Sequence, residues 1–179
     1  MMAKKTPEEK AANARARMLE TAKGCNYKKR VATQFQLMIR AEFGADDSPY
    51  VPAVVDGSIR HVARDIGQVV CVTCGDVYWW KDPRKRINTG HFISRKKNAT
   101  FFDPMNVGPQ CVTCNKYRHG ERGLFEIWVR HIYGAAEVER LQRLKNESRK
   151  FTTEELVDMM IGFQARLKAA VAFIEGATA

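Results

Sequence analysis

The stretch "GHFISRKKNATFFDPMNVGPQCVTCN", residues 90–115, sets a lone histidine, an asparagine and a Cys-x-x-Cys pair in one short run that ends on a second asparagine. Its cysteines, Cys111 and Cys114, repeat the spacing of an earlier pair, Cys71 and Cys74, in "QVVCVTCGDVYWW" (residues 68–80). Each short turn can place two sulfurs on one tetrahedral ion at about 2.3 Å, and two such turns complete a four-thiolate zinc site. Such a site has no vacant coordination position, so the zinc is expected to be structural. Val and aromatic residues around Cys71 and Cys74, with Gly75 after the second cysteine, predict a zinc knuckle on a β-hairpin. "KDPRKRINTGHFIS" (81–94) then reads as a basic loop leading into a short strand that carries His91, Phe92 and Ile93 beside the cysteines.

Composition narrows the setting of this site. The chain has 179 residues, room for one compact domain plus an arm, and a net charge of +10 with pI about 9.6. That balance favours a polyanionic partner, nucleic acid first, because Lys and Arg release condensed counterions when they neutralise phosphates. No apolar run approaches the roughly 20 residues that span a bilayer, and the N-terminus lacks the apolar core of a secretory signal. The expected location is therefore cytoplasmic, with no membrane association. In that reducing compartment the five cysteines read as metal ligands or thiols rather than disulfides. Cys25 has no partner at a suitable spacing and reads as a spare thiol.

Helical patterns flank the cysteine-bearing core. Thr6, Pro7 and Glu9 form a capping box opening a helix over about 7–23 with few large apolar residues, read as a basic arm or a solvated helix. A second helix is predicted over 27–43 from Val31, Phe35, Met38 and Ile39. Residues 44–67 read as a linker: 44–58 concentrate Gly, Pro, Asp and Ser as a surface loop, and 59–70 suit either a short helix or the approach to a strand. Beyond the core, Leu124, Ile127, Trp128 and Ile132 predict one helix face and Val138, Leu141 and Leu144 a further helix. Thr152 and Glu155 make another capping box, with Phe151 and Leu156 as a hydrophobic staple, at the head of a helix over about 153–174. Its stripe of Leu156, Met160, Phe163, Leu167 and Ile174 suits core packing or a dimer face.

Phosphodiester hydrolysis needs a water, a base to take its proton and a cation for the developing charge. His91 can be neutral and basic at cytoplasmic pH, and the amide oxygen of Asn115 suits a magnesium ion, which keeps several waters. Asn106 would hold the loop over the histidine through backbone hydrogen bonds. Equally, His91 can be a partly buried, hydrogen-bonded histidine and Asn115 an N-cap. His119, four residues after Asn115, would share its face if both were helical, as a second metal ligand or a phosphate contact.

The combination of "GH", the asparagine five positions before "C-x-x-CN" and the Thr-capped last helix resembles the NinG (Rap) recombination endonucleases of lambdoid bacteriophages. The likeness runs through "CVTCG", "TGHFISR", "NVGPQCVTCNKYRHG" and "FTTEEL", over roughly residues 27–172. It implies an α+β, mainly helical fold with a zinc-bound ββα-metal (treble-clef, HNH-like) core and flanking helices. The arm would be 1–26 and the nuclease domain 27–179, with its core at 68–122 and C-terminal helices at 123–179. It also implies nicking of D-loops and Holliday junctions in the bacterial host, with phage recombination proteins as partners. By position, Cys71, Cys74, Cys111 and Cys114 become structural zinc ligands, His91 the general base, and Asn115, with His119, holds catalytic Mg²⁺ or Mn²⁺.

The arrangement is also similar to junction resolvases of the endonuclease VII type, in which an acidic metal ligand precedes the histidine. Here Gly90 stands in that place, leaving Asp103 as a substitute carboxylate or the metal to Asn115, His119 and water. DNA contacts are expected from Lys81, Arg84, Lys85 and Arg86 before the histidine and Arg95, Lys96 and Lys97 after it. Trp79 and Trp80 can stack on unpaired bases, with one of them in the core. Paired nicks on a junction suit a homodimer, joined through the C-terminal helices. The competing function is a non-catalytic, zinc-stabilised DNA-binding recombination accessory or regulator.

Overall fold

The computed structural model describes residues 5–23 and 26–179, so Cys25 lies outside the described residues. The fold is mixed α+β, with six α-helices and three separate two-stranded antiparallel sheets among the described residues. Helices α1 (Pro7–Lys23) and α2 (Tyr27–Ala45) lead into the hairpin β1 (Tyr50–Val55) and β2 (Ser58–Ala63). The strands β3 (Gln68–Val70) and β4 (Val77–Trp79) follow, then β5 (Ile87–His91), the one-turn α3 (Asn98–Phe101) and β6 (Val107–Cys111). The chain closes with α4 (Arg122–Tyr133), α5 (Ala135–Leu144) and α6 (Thr153–Thr178).

The apolar spacing of α2 makes it the central helix. Val31, Phe35, Met38 and Ile39 are buried and meet Leu156, Val157, Met160 and Phe163 of α6 in one cluster. The α6 stripe is therefore consumed inside the chain, which removes it as the dimer face. Both features expected at the head of α6 are present: Glu155 N donates to Thr152 Oγ1 at 3.1 Å and Thr152 N to a Glu155 carboxylate oxygen at 2.8 Å, while Phe151 packs on the cluster that holds Leu156. The same reciprocal bonds join Thr6 and Glu9 at the start of α1. Nor is α1 a detached arm: Ala22 is buried, Met18 and Leu19 pack on the core, and Arg15 pairs with Asp158 of α6 at 2.7 Å.

The expected linker at 44–67 is corrected to a hairpin. Residues 50–55 and 58–63 pair in register from Tyr50 opposite Ala63 to Val55 opposite Ser58. Asp56 and Gly57, at φ 51° and 77°, form the two-residue turn that matches the twist of antiparallel strands. Val54 is fully buried against Phe125, Trp128 and Val129 of α4. Arg64 anchors the far end, its guanidinium donating to the carbonyls of Phe43, Ser48 and Gln68.

The β5–β6 hairpin lies between these layers. Its pleat turns Thr89 and Val107 toward α2, where Thr89 Oγ1 donates to Gln36 O at 2.8 Å. The opposite face packs tightly: a Cβ on Gly108 would stand 3.2 Å from Trp128 and Val72. Among the described residues, no helix is long and apolar enough to cross a membrane.

Candidate functional site

The cysteine centre is assembled from three elements. Cys71 and Cys74 lie in the turn between β3 and β4, where Gly75 takes φ 82° and its N–H donates to Cys71 O at 2.9 Å. Cys111 is the last residue of β6, and Cys114 sits in the wide helical turn Thr113–Tyr117 that follows. All four sulfurs lie within 4.8 Å of one another, with Cys74 Sγ 3.9 Å from Cys111 Sγ. Tetrahedral zinc with sulfurs at about 2.3 Å needs them about 3.8 Å apart, so the donor set fits the ion. The backbone N–H of Cys111 donates to Cys71 Sγ at 3.3 Å and that of Cys114 to Cys111 Sγ at 3.4 Å, bonds that favour thiolates.

The thiols are paired in their titration. A hydrogen bond from Cys74 holds Cys71 below the ordinary thiol range, and the same bond pushes Cys74 well above it. Burial pushes Cys114 up to about 12. Cys71 thus gives up its proton readily, while Cys74 and Cys114 hold theirs until a cation takes their place.

His91 ends β5 opposite Val107. Its ring is half-buried, 5.6 Å from the Phe101 ring, and Nε2 lies 3.2 Å from Phe101 O. A carbonyl can only accept, so Nε2 carries the proton in this bond and Nδ1 keeps the lone pair of the neutral ring. Burial pushes the His91 pKa down to about 4, against partial support from the Phe101 carbonyl. The imidazole is consequently neutral across the physiological range.

Asn106 is fully buried and spends its amide on the segment that follows the histidine. Oδ1 accepts from Ile93 N at 2.6 Å, and Nδ2 donates to Ile93 O at 3.1 Å and Thr100 O at 2.9 Å. Its own carbonyl accepts from Phe92 N at 2.9 Å. Residues 92–93 and 100 are thereby tied to one residue, which holds the loop carrying the Phe101 carbonyl against the His91 strand.

Gly90 has a steric reason. A Cβ there would stand 2.2 Å from Gln110 Oε1, so the fully buried Gln110 amide fills the space a larger side chain would need. Gln110 Nε2 donates to Thr73 Oγ1 at 3.1 Å and Gly120 O at 2.8 Å, joining β6, the first cysteine turn and the turn after the second. Its Oε1 is buried with no hydrogen-bond partner. Residue type and position in sequence gave no signal for Gln110; only the β5–β6 register puts it beside Gly90.

The remaining candidates separate. Asn115 lies inside the Thr113–Tyr117 turn, whose N-cap is Val112, and α4 begins after Glu121, so Asn115 caps neither. His119 is exposed at φ 55°, past that turn, so the shared helical face with Asn115 does not exist. Asp103 is already committed: one oxygen accepts from Met105 N and the other from Arg140 Nη2 at 2.5 Å, so it brings no free carboxylate to His91. Among the described residues, neither His91, His119 nor Asp103 joins a metal-binding group of His, Cys, Asp and Glu side chains; the four cysteines do.

Lys81, Arg84, Lys85, Arg86, Arg95, Lys96 and Lys97 are all exposed, though Arg86 is bound to Asp82 through a 3.0 Å ion pair. Trp80 is in the core and Trp79 stays partly exposed over Gly67. Beside the histidine strand, a cleft of 320 Å³ is lined by Ser94, Lys97, Arg122 and Lys145 among others.

Comparison with known proteins places the chain beside phage proteins. The family model described as "Bacteriophage Lambda NinG protein" matches residues 1–172. Protein ninG of Salmonella phage P22 is 25% identical over 115 residues, which is 64% of this chain and 52% of that protein. The chain thus spans about half the length of this curated relative. No solved structure matches.

Proposed function

The chain belongs to the NinG family of bacteriophage proteins, and from that premise we propose a metal-dependent DNA endonuclease that nicks branched recombination intermediates, D-loops and Holliday junctions. Supporting this reading above all is His91, a neutral imidazole with one nitrogen oriented by a backbone carbonyl, on a hairpin braced by Asn106. In this reading β5, β6 and α4 form the ββα-metal (HNH-like) core, and a structural zinc on the four cysteines holds it together.

His91 Nδ1 takes a proton from water, the hydroxide attacks phosphorus, the bond to the leaving oxygen breaks, and that oxygen takes a proton from solvent water while the imidazolium returns its own to solvent. Asn106 is a positioning residue that fixes the carbonyl orienting Nε2. The residues that would hold a catalytic ion in this reading are Asn115, through its amide oxygen, and His119. They suit a water-rich Mg²⁺ or Mn²⁺ ion. When bound, it supplies positive charge at the phosphate and the leaving oxygen. The exposed cations around His91 and the cleft bearing Lys97, Arg122 and Lys145 provide phosphate contacts. The work would take place in the bacterial host cytoplasm alongside phage recombination proteins, with a homodimer suiting paired nicks.

The absence of a free carboxylate beside His91 favours one rival, a zinc-stabilised DNA-binding accessory without catalysis. Nicking assays on linear duplex, D-loop and four-way junction, with and without Mg²⁺, separate the two. Mg²⁺-dependent nicks confined to the branched substrates are expected; binding to all three with no cleavage would establish the rival.

A further inference from the structure

A second cleft, of about 530 Å³, opens between α2 and the 80–88 segment, away from the residues assigned to catalysis. Its lining includes Gln36 and Arg40 from α2, Lys81 and Lys85 from the turn, and Asn88 from β5. We infer that this cleft is a binding pocket for one backbone phosphate of DNA, gripped by Arg40 and flanked by Lys81 and Lys85. The inference rests on the DNA-binding part of the proposed function and is independent of cleavage.

The charge in the cleft is unbalanced. Arg40 uses only Nε, donating to Trp80 O at 3.3 Å, and forms no ion pair. Burial disfavours its charged form, a cost an anionic ligand would offset. The one acid in the lining, Asp82, accepts from Arg86 N at 2.8 Å, Nε at 3.2 Å and Nη2 at 3.0 Å, so its charge is already neutralised. Glu42 on the same helix is paired with Arg166 at 2.7 Å. Lys81 and Lys85 also form no ion pair, leaving three cations facing the cleft with no acid to answer them.

One further feature points the same way. Lys85 adopts φ 54° in a turn closed by its own N–H to Asp82 O at 2.9 Å. Left-handed backbone at a non-glycine residue is strained and collects at ligand sites. A guanidinium fork suits the paired oxygens of a phosphodiester. Trp80, Pro83 and Ile87 complete an apolar wall for the adjoining sugar.

The test uses the full zinc-bound chain and a four-way junction, with binding followed by fluorescence anisotropy across a salt series. Arg40→Gln is expected to weaken binding about tenfold and to lower the salt slope by about one phosphate contact. A scan of single neutral methylphosphonates should find one position that weakens the parent equally and adds nothing to the Arg40→Gln penalty. Lys85→Glu, which puts a carboxylate at the cleft without touching Arg40, should weaken binding at least as much. Zinc content and melting temperature establish that each variant is folded; should Arg40→Gln fail, Lys85→Glu carries the test. Parental affinity and slope in a folded variant would overturn the proposal. So would inorganic phosphate binding that depends on Arg40 while every methylphosphonate penalty stays additive, since the pocket would then be an anion site unrelated to DNA. Because none of these readings needs a nick, a chain that binds without cutting leaves this pocket standing and removes only the nuclease.

Discussion

Asn106 shows how one amide can hold a reactive strand in place. Three hydrogen bonds at 2.6, 2.9 and 3.1 Å bind it to the backbone of Ile93 and Thr100 in an environment without water. Asn106→Ala would leave those carbonyls and the Ile93 N–H unpaired and is expected to cost about 2–4 kcal/mol. Chemical denaturation reads this directly, and a variant as stable as the parent would contradict the geometry. His91 makes a pH-dependent contribution. Its pKa is about 4 when folded, against about 6.5 when unfolded, so the unfolded chain takes up a proton that the folded chain refuses. Stability is fully present above pH 6.5 and falls toward pH 4, by about 3 kcal/mol in all. His91→Gln should flatten that interval relative to the parent; identical pH profiles would show the ring to be exposed and normally titrating. Gly90 belongs to the same neighbourhood. Sequence marks it as a missing carboxylate, whereas the structure explains it as room for Gln110.

Among the elements, the two cysteine turns do more than any helix to define the middle of the chain. They join β3, β6 and the turn after β6 around four sulfurs within 4.8 Å. Cys111→Ser should abolish stoichiometric zinc and lower the melting temperature by roughly 10 °C or more, followed by metal analysis and circular dichroism. Retained melting behaviour without zinc would show the site to be dispensable for the fold. The sequence made this centre legible because Cys-x-x-Cys spacing is a local geometric code, and capping boxes at Thr6 and Thr152 are local too. What it hid depended on tertiary partners or on a competing local signal. The Asp56-Gly57 turn is itself a hairpin signature, masked by the surrounding Pro, Gly and Asp. On α4 the buried face is Phe125, Trp128 and Val129, leaving Ile127 and Ile132 exposed, because β1 covers that side. Gln110 and Arg40 acquire their roles from strand register and from a cleft between distant segments, which no spacing records.

At the scale of the whole molecule, a helical layer of α1, α2 and α6 is packed on one face of the β5–β6 hairpin and α4 with β1 on the other. His91 and Cys111 both sit on that hairpin, so it links the imidazole to the cysteine cluster that the β3–β4 turn and the turn after β6 complete. Positive charge is spread over both ends of β5: Lys81, Arg84 and Lys85 before it, and Arg95, Lys96 and Lys97 after it. A net charge of +10 suits long-range attraction to DNA but does not distinguish a nuclease from a binding protein. The central claim concerns His91, and the most direct measurement is the rate at which folded, zinc-bound His91→Ala nicks a four-way junction in Mg²⁺, at protein concentrations where parent and variant bind it equally. The account predicts a loss of at least about a hundredfold, the usual worth of a general base; nicking at the parental rate would contradict it.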